Sequence, residues 1–255
     1  MAGNNGPKIV TNGLLRCIDA SYYGGFGRPD TYDAISQGYQ VALTPKDFVQ
    51  NVIYYPPANF GALFNLNGIR CISSRRQEPT GSSAYSHYTD LNRGTVNITS
   101  NSNRTCECWV YMVSNTAGGD GYGNLVSVFT LFHWGQASVW SKCGLGIYSD
   151  TNVAIHGWGT TTYALSSTVP SLLNRWVLVG FTNNGNTVSF YVNGEPTGTA
   201  TVALGTTTTE FNTTINGLGY TNPSCYWGAM RIYNRQLSAA EMKQNFTAHK
   251  GRYKL

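Results

Sequence analysis

The clearest hydrophobic pattern in the chain runs from Trp176 to Gly205. Val177, Val179 and Phe181 alternate with Trp176, Leu178, Gly180 and Thr182. After a turn, Val188, Phe190 and Val192 alternate with Thr187, Ser189 and Tyr191. Period-two alternation of β-branched and aromatic residues predicts half-buried strands. Asn184-Gly185 lies between the two runs, and both residues tolerate the positive φ of a tight hairpin turn. Pairing Thr182 with Thr187 sets Phe181 against Val188, Val179 against Phe190 and Val177 against Val192. Val177, Val179, Phe181, Val188, Phe190 and Val192 then share one face, which a slip of one residue would undo. Asn193-Gly194 ends this hairpin and starts another strand, so the sheet is predicted to be an antiparallel meander rather than built of βαβ units.

The same alternation recurs along the chain. Residues 9–18 read as a first strand interrupted at Asn12-Gly13, and residues 62–73 as a hairpin around Asn67-Gly68. In 105–112, Cys106, Cys108, Val110 and Met112 make one face and Thr105, Glu107, Trp109 and Tyr111 the other. Residues 125–134, the runs GLGIYS, NVAIHGW and TTYALS, and residues 226–233 supply further strands. Residues 20–60 and 74–103 have no clear period and read as long irregular insertions, functional loops or contact arms. Near the end, Ser238 with Glu241 forms a capping box, with Leu237 and Met242 placed as the hydrophobic staple. Met242 and Phe246, four apart, share a face of the helix so started, which is expected to plug an open end of the core. The fold class predicted is all-β: an antiparallel two-sheet jelly-roll sandwich with one short C-terminal helix, in a single domain over 1–255.

Composition narrows the function classes. Charged residues are 11% of the chain, against about a quarter in an average soluble domain. The 13% aromatic content argues against disorder. The net charge of +5 is scattered, without an RNA-binding signature or a long basic run, so no nucleic-acid partner is expected. No stretch approaches the ~18 apolar residues of a membrane helix, so no membrane partner is expected either. The start, MAGNNGPKIV, lacks the charged head and apolar core of a signal peptide, which implies synthesis in a cytoplasm with release by lysis, a chain whose signal has been removed being the alternative. Cys17, Cys71, Cys106, Cys108, Cys143 and Cys225 are even in number, which permits a disulfide framework without showing one. Cys106 and Cys108 share a strand face at a Cα separation of roughly 6.5–7 Å, at or beyond the reach of a disulfide. Buried thiols acting as small hydrophobes are the first expectation, and disulfides within the chain or to a neighbouring subunit the second.

Candidate chemistry is sparse. Hydrolysis of a glycoside needs two carboxylates about 5–9 Å apart. The five glutamates, at 78, 107, 195, 210 and 241, never have another carboxylate two residues away. No GxSxG or HExxH motif occurs, so no catalytic residue is assigned and the protein is not expected to be an enzyme. Asp120 and Asp150 lie in candidate loops, but no set of acidic ligands for calcium assembles, so no metal and no cofactor is expected. Binding is the stronger candidate. Glu107, Trp109 and Tyr111 share a strand face that Trp134, Trp158 and Tyr191 could join, and aromatic planes beside polar groups suit sugar rings. The competing reading places these aromatics in the inter-sheet core.

Several stretches resemble the laminin-G-like, concanavalin A-like jelly-roll superfamily. NGLLRCIDAS is similar to a first strand of the type GLVLYLDA, and TCECWVYM to FTIEAWVK, with Glu107 and Trp109 at the matching places. RWVLVGFTNNGNTVSFYVNGEPTG resembles the paired strands that end in YVNG. The ending GAMRIYNRQLSAAEMKQNFTAHKGRYKL is similar to IYNRALSAEEIQQNYNALKGRFGL, recurrent in such domains on tailed-bacteriophage virion proteins. Departures are Arg16-Cys17 in place of an apolar pair and Asn65 where Asp is usual. The resemblance implies a structural virion protein displayed on the particle surface as capsid, neck or tail decoration. Its partners would be other virion proteins and copies of itself, with the 20–60 arm and the tail HKGRYKL as docking elements. A carbohydrate-binding module attaching to host-surface or environmental glycans is the alternative.

Overall fold

The computed structural model describes residues 7–19, 63–73, 89–90, 98–113, 118–119, 125–126, 128–135, 142–157, 162–206, 211–212, 214–215 and 225–255. The predicted 20–60 insertion and most of the 74–103 insertion lie outside these residues. The strands in chain order are β1 (Leu14–Asp19), β2 (Leu63–Leu66), β3 (Ile69–Ser73), β4 (Thr89–Asp90), β5 (Arg104–Met112) and β6 (Gly118–Gly119). Then come β7 (Leu125–Val126), β8 (Val128–Gly135), β9 (Lys142–Tyr148), β10 (Asn152–His156), β11 (Thr162–Leu165) and β12 (Trp176–Asn184). The last are β13 (Thr187–Val192), β14 (Glu195–Thr201), β15 (Phe211–Asn212), β16 (Thr214–Ile215) and β17 (Cys225–Tyr233), followed by α1 (Ala239–Lys250).

Two antiparallel sheets carry the fold. The larger runs β14-β13-β12-β5-β17-β3-β2, with β1 also paired to β17, and the smaller runs β11-β10-β9-β8-β15. The inward residues are those the alternation selected. Cys106, Cys108, Val110 and Met112 of β5, with Val177, Val179 and Phe181 of β12, meet Phe132, Trp134, Leu145, Ile147, Val153 and Ile155 of the smaller sheet in one buried cluster. This is the jelly-roll sandwich expected from the sequence.

The central hairpin differs from expectation in register. Val179 pairs with Val192, Phe181 with Phe190 and Asn184 with Thr187. The turn is therefore Gly185-Asn186, with Gly185 alone at positive φ (57°), the geometry of a Gly-first hairpin turn. The shift from the predicted pairing is two residues, so every side chain keeps its face and the apolar match is preserved. Asn193 and Gly194 both adopt positive φ, as do Asn67 and Gly68 in the β2–β3 hairpin. The first strand begins only after the Asn12-Gly13 turn, at Leu14.

The helix forms as read. Ser238 Oγ accepts from the Glu241 backbone N–H, and the Glu241 side chain accepts from the Ser238 N–H at 2.9 Å. Leu237 and Met242 are buried together in one cluster. Its position corrects the expectation. The helix lies across the outer face of the larger sheet, where Asn245 reaches Glu107 of β5 and Tyr233 of β17, instead of plugging an end of the core. Thr105 on the same face fastens the connection, donating to the Arg235 carbonyl (2.8 Å) and accepting from the Leu237 N–H (2.9 Å).

Cys17, Cys71, Cys106, Cys108, Cys143 and Cys225 are buried, and no two of them are joined by a disulfide among the described residues. Burial pushes the Cys17 and Cys71 thiols up to about 11, and those of Cys106 and Cys108 well above their ordinary value. They pack as small hydrophobes, and none presents a surface thiol for a crosslink to a neighbour.

Candidate functional site

The outer face of the larger sheet concentrates the polar chemistry. Pairing of β1 with β17, β17 with β5, and β5 with β12 lines up Cys17, Arg231, Glu107 and Gly180 in one row across four strands. Residues directly opposite on neighbouring strands point to the same side of a sheet, so an acid and a base meet here by register alone. Arg231 and Glu107 are fully buried and form an ion pair through Nη1 and Oε1. Burial works against the charge on Arg231, but Glu107 outweighs it and holds the guanidinium above its ordinary pKa. Asn245 of the helix donates to Glu107 Oε1 (3.0 Å) and to Tyr233 Oη (2.9 Å), and its Oδ1 accepts from the Val10 N–H (2.7 Å). Tyr233 Oη in turn donates to the Val10 carbonyl (3.1 Å). The N-terminal segment, two central strands and the helix are thus joined by one buried network.

The far side of Arg231 faces His249 in the last helical turn. Arg231 Nη2 donates to His249 Nδ1 at 2.5 Å, which fixes the imidazole as the neutral tautomer with its proton on Nε2. Burial first, and then Arg231 and Arg252, depress the His249 pKa to about 2. Arg252 reaches Asp19 Oδ2 of β1 (2.8 Å) and Tyr253 Oη (2.6 Å).

Beside this network lies an aromatic slot. The Tyr253 ring stacks on Trp109 with centroids 4.1 Å apart and planes at 17°, and lies 4.8 Å from Trp176. Phe246 stacks on Trp109 from the helix at 5.7 Å. Gly228 makes the slot possible, because a Cβ there would stand 2.0 Å from Tyr253 Oη. Gly180 serves the helix likewise: its Cβ would meet the Cys106 carbonyl at 2.6 Å and Met242 Cε at 3.1 Å.

The six residues proposed as a sugar platform are not brought together on one surface. Glu107 and Trp109 are fully buried under the helix and tail, and Tyr111 packs edge-on to Trp176 and Tyr226 at their margin. Trp134 lies on the opposite side of the larger sheet, in the inter-sheet core, donating to the Ile98 carbonyl (3.1 Å) with Arg104 over its ring at 5.6 Å. Tyr191 is buried with Tyr233 and Met242, and Trp158 lies outside the described residues. Asp150 accepts from Ser171 Oγ (2.6 Å), whereas Asp120, Glu78 and Glu210 lie outside the described residues. The tail read as a docking arm is docked on its own sheet through Tyr253. Sequence reasoning missed Arg231, Asn245, His249 and Tyr253. Arg231 carried a signal: in AMRIY it alternates with Met230 and Ile232, a charge on the outward parity of a strand.

A family model described as the concanavalin A-like lectin/glucanases superfamily, Laminin_G_3, matches residues 82–243, well over half of the chain. The chain belongs to this family. Comparison with curated proteins gave no match. Among solved structures, the binding domain of Paraclostridial Mosquitocidal Protein 1 aligns with a TM-score of 0.52 at 13% identity, over 74% of this chain and 45% of that one. A Trypanosoma rangeli sialidase aligns at 0.42 and 18% identity, over 60% of this chain and 24% of that one. The botulinum neurotoxin serotype D binding domain aligns at 0.44 and 14% identity, over 64% and 40%. The chain therefore spans less than half the length of each of these structures, and the first of them supports the fold alone.

Proposed function

We propose that this laminin-G-type jelly roll is a non-enzymatic structural protein of a tailed-phage particle, displayed on the capsid, neck or tail. The observation that carries the non-enzymatic part is the fate of Glu107. Among the described residues it is the one glutamate centred in a core strand, and it is fully buried and paired with Arg231 and Asn245. A carboxylate so committed cannot reach a glycosidic oxygen or activate a water. Glu195 and Glu241 are bound to Lys243 and Arg235 near the surface. The phage assignment is supported by the likeness of residues 228–255 to the endings of virion-borne domains. Immunogold electron microscopy of intact particles tests it: labelling of one particle feature supports the assignment, and protein recovered only outside particles sinks it.

Family membership favours a second reading, a glycan-binding module. Binding would use a surface other than the Glu107–Trp109–Tyr111 face, which the chain's own C-terminus covers. A glycan array with the whole chain separates the two: firm particle association with an empty array leaves the structural role alone.

A further inference from the structure

We propose that the C-terminal helix and tail form an acid-released strap: protonation of His249 lifts residues 239–255 from the outer face of the larger sheet while the two-sheet core stays folded. His249 sits where a proton has no room. Arg231 of β17 donates to its Nδ1, so protonation would set donor against donor. Arg252 of the tail is the second cation acting on it. The facing anions, Glu107 of β5 and Asp19 of β1, are already bound to those two arginines. Among the described residues, a charged imidazole would be a third cation beside two carboxylates. Tyr233 and Tyr253 nearby are held neutral, as burial raises both pKa values.

The strap is separable from the core. Its buried contacts fall on the outer face and the N-terminal segment, in clusters distinct from the one between the sheets. Its hold is also incomplete: Glu107 Oε2 and Arg231 Nε are buried without a hydrogen-bond partner among the described residues, and unpaired buried polar atoms favour the open state, where water satisfies them. Opening uncovers Trp109 and Trp176, an aromatic face absent from the neutral-pH surface.

Cys17 reports the event, being buried at the position paired with Arg231, while Cys106 in the inter-sheet core reports global unfolding. The whole chain is labelled with 4,4′-dithiodipyridine at pH 7.5 and 5.0, the sites are resolved by mass spectrometry, and rates are normalised to free cysteine at each pH. With an exposed histidine near pKa 6.5, opening should rise about thirtyfold over this range, above the pH at which most exposed carboxylates titrate. The expected result is a rise of that order at Cys17 with Cys106 protected, and a flat profile in His249→Gln, whose amide oxygen can still accept from Arg231. A flat wild-type profile, an equal rise at Cys106, or the same rise in His249→Gln would overturn the proposal. Should His249→Gln fail to fold, the wild-type comparison of Cys17 with Cys106 decides.

Discussion

Gly228 offers the sharpest test of how the tail is held. Its φ is not in the left-handed region, so an alanine there brings no backbone strain and loses less chain entropy than glycine on folding. The only penalty is steric. A Cβ at 228 would stand 2.0 Å from Tyr253 Oη and 2.7 Å from Cε1 and Cζ, and the ring cannot slide aside because Trp109 stacks on it at 4.1 Å. Gly228→Ala therefore expels Tyr253, a side chain only 2% exposed. Losing a buried aromatic costs about 3–5 kcal/mol and a stacked pair about 1 kcal/mol of that. Partial relaxation of the tail brings the expected cost of Gly228→Ala to about 2–4 kcal/mol. Urea denaturation of Gly228→Ala, Tyr253→Ala and the double variant measures it. In the Tyr253→Ala background, Gly228→Ala should change stability by no more than about 0.5 kcal/mol, because the clash is gone. A cost equal in both backgrounds, or none in the wild type, refutes the slot.

Three further outcomes follow from the outer-face geometry. Removing one partner of the buried ion pair, as in Arg231→Met or Glu107→Leu, should cost about 3–5 kcal/mol, with the double variant recovering most of it; additive losses in chemical denaturation would count against the pair. Ser238→Ala should lower stability by about 1 kcal/mol through the lost cap, seen as a lower urea midpoint with an unchanged slope. Arg235 first, and the Ser238 amide and hydroxyl after it, hold Glu241 down to about 2 from an ordinary 4.5. Its contribution is therefore complete above about pH 4.5 and lost as pH falls toward 2. The side chain is 28% exposed, which limits the effect to about 1 kcal/mol; Glu241→Gln should flatten that part of a thermal-stability profile, and an unchanged profile would contradict it.

How much was legible in the sequence depended on whether a property is local. Alternation in β5 and β12 marked the inward residues correctly, because parity along a strand survives an error in pairing. The hairpin shows this: Phe181 faces Phe190 rather than Val188, yet both choices leave the same atoms in the core. The capping box was readable because Ser238 and Glu241 are three residues apart and act on each other. What covers the outer face was not readable. Glu107, Trp109 and Tyr111 on one parity look alike whether solvent, a sugar or the chain's own helix lies over them, and the covering residues come from more than 130 positions away. The clue lay in pairing, since Arg231 opposite Glu107 makes a neutral row that needs no ligand. Gly228 gave no local sign either, because the need for a missing Cβ arises only when Tyr253 arrives.

The proposed role requires that the C-terminal helix and tail seal the outer face at neutral pH. Hydroxyl-radical footprinting of the whole chain at pH 7.5 measures this directly, with the exposed Val113 and Leu255 as internal references. Trp109 and Tyr253 should resist oxidation despite their higher intrinsic reactivity. Oxidation of Trp109 as fast as the references would mean that the aromatic face is open, and would contradict the sealing on which the functional reading depends.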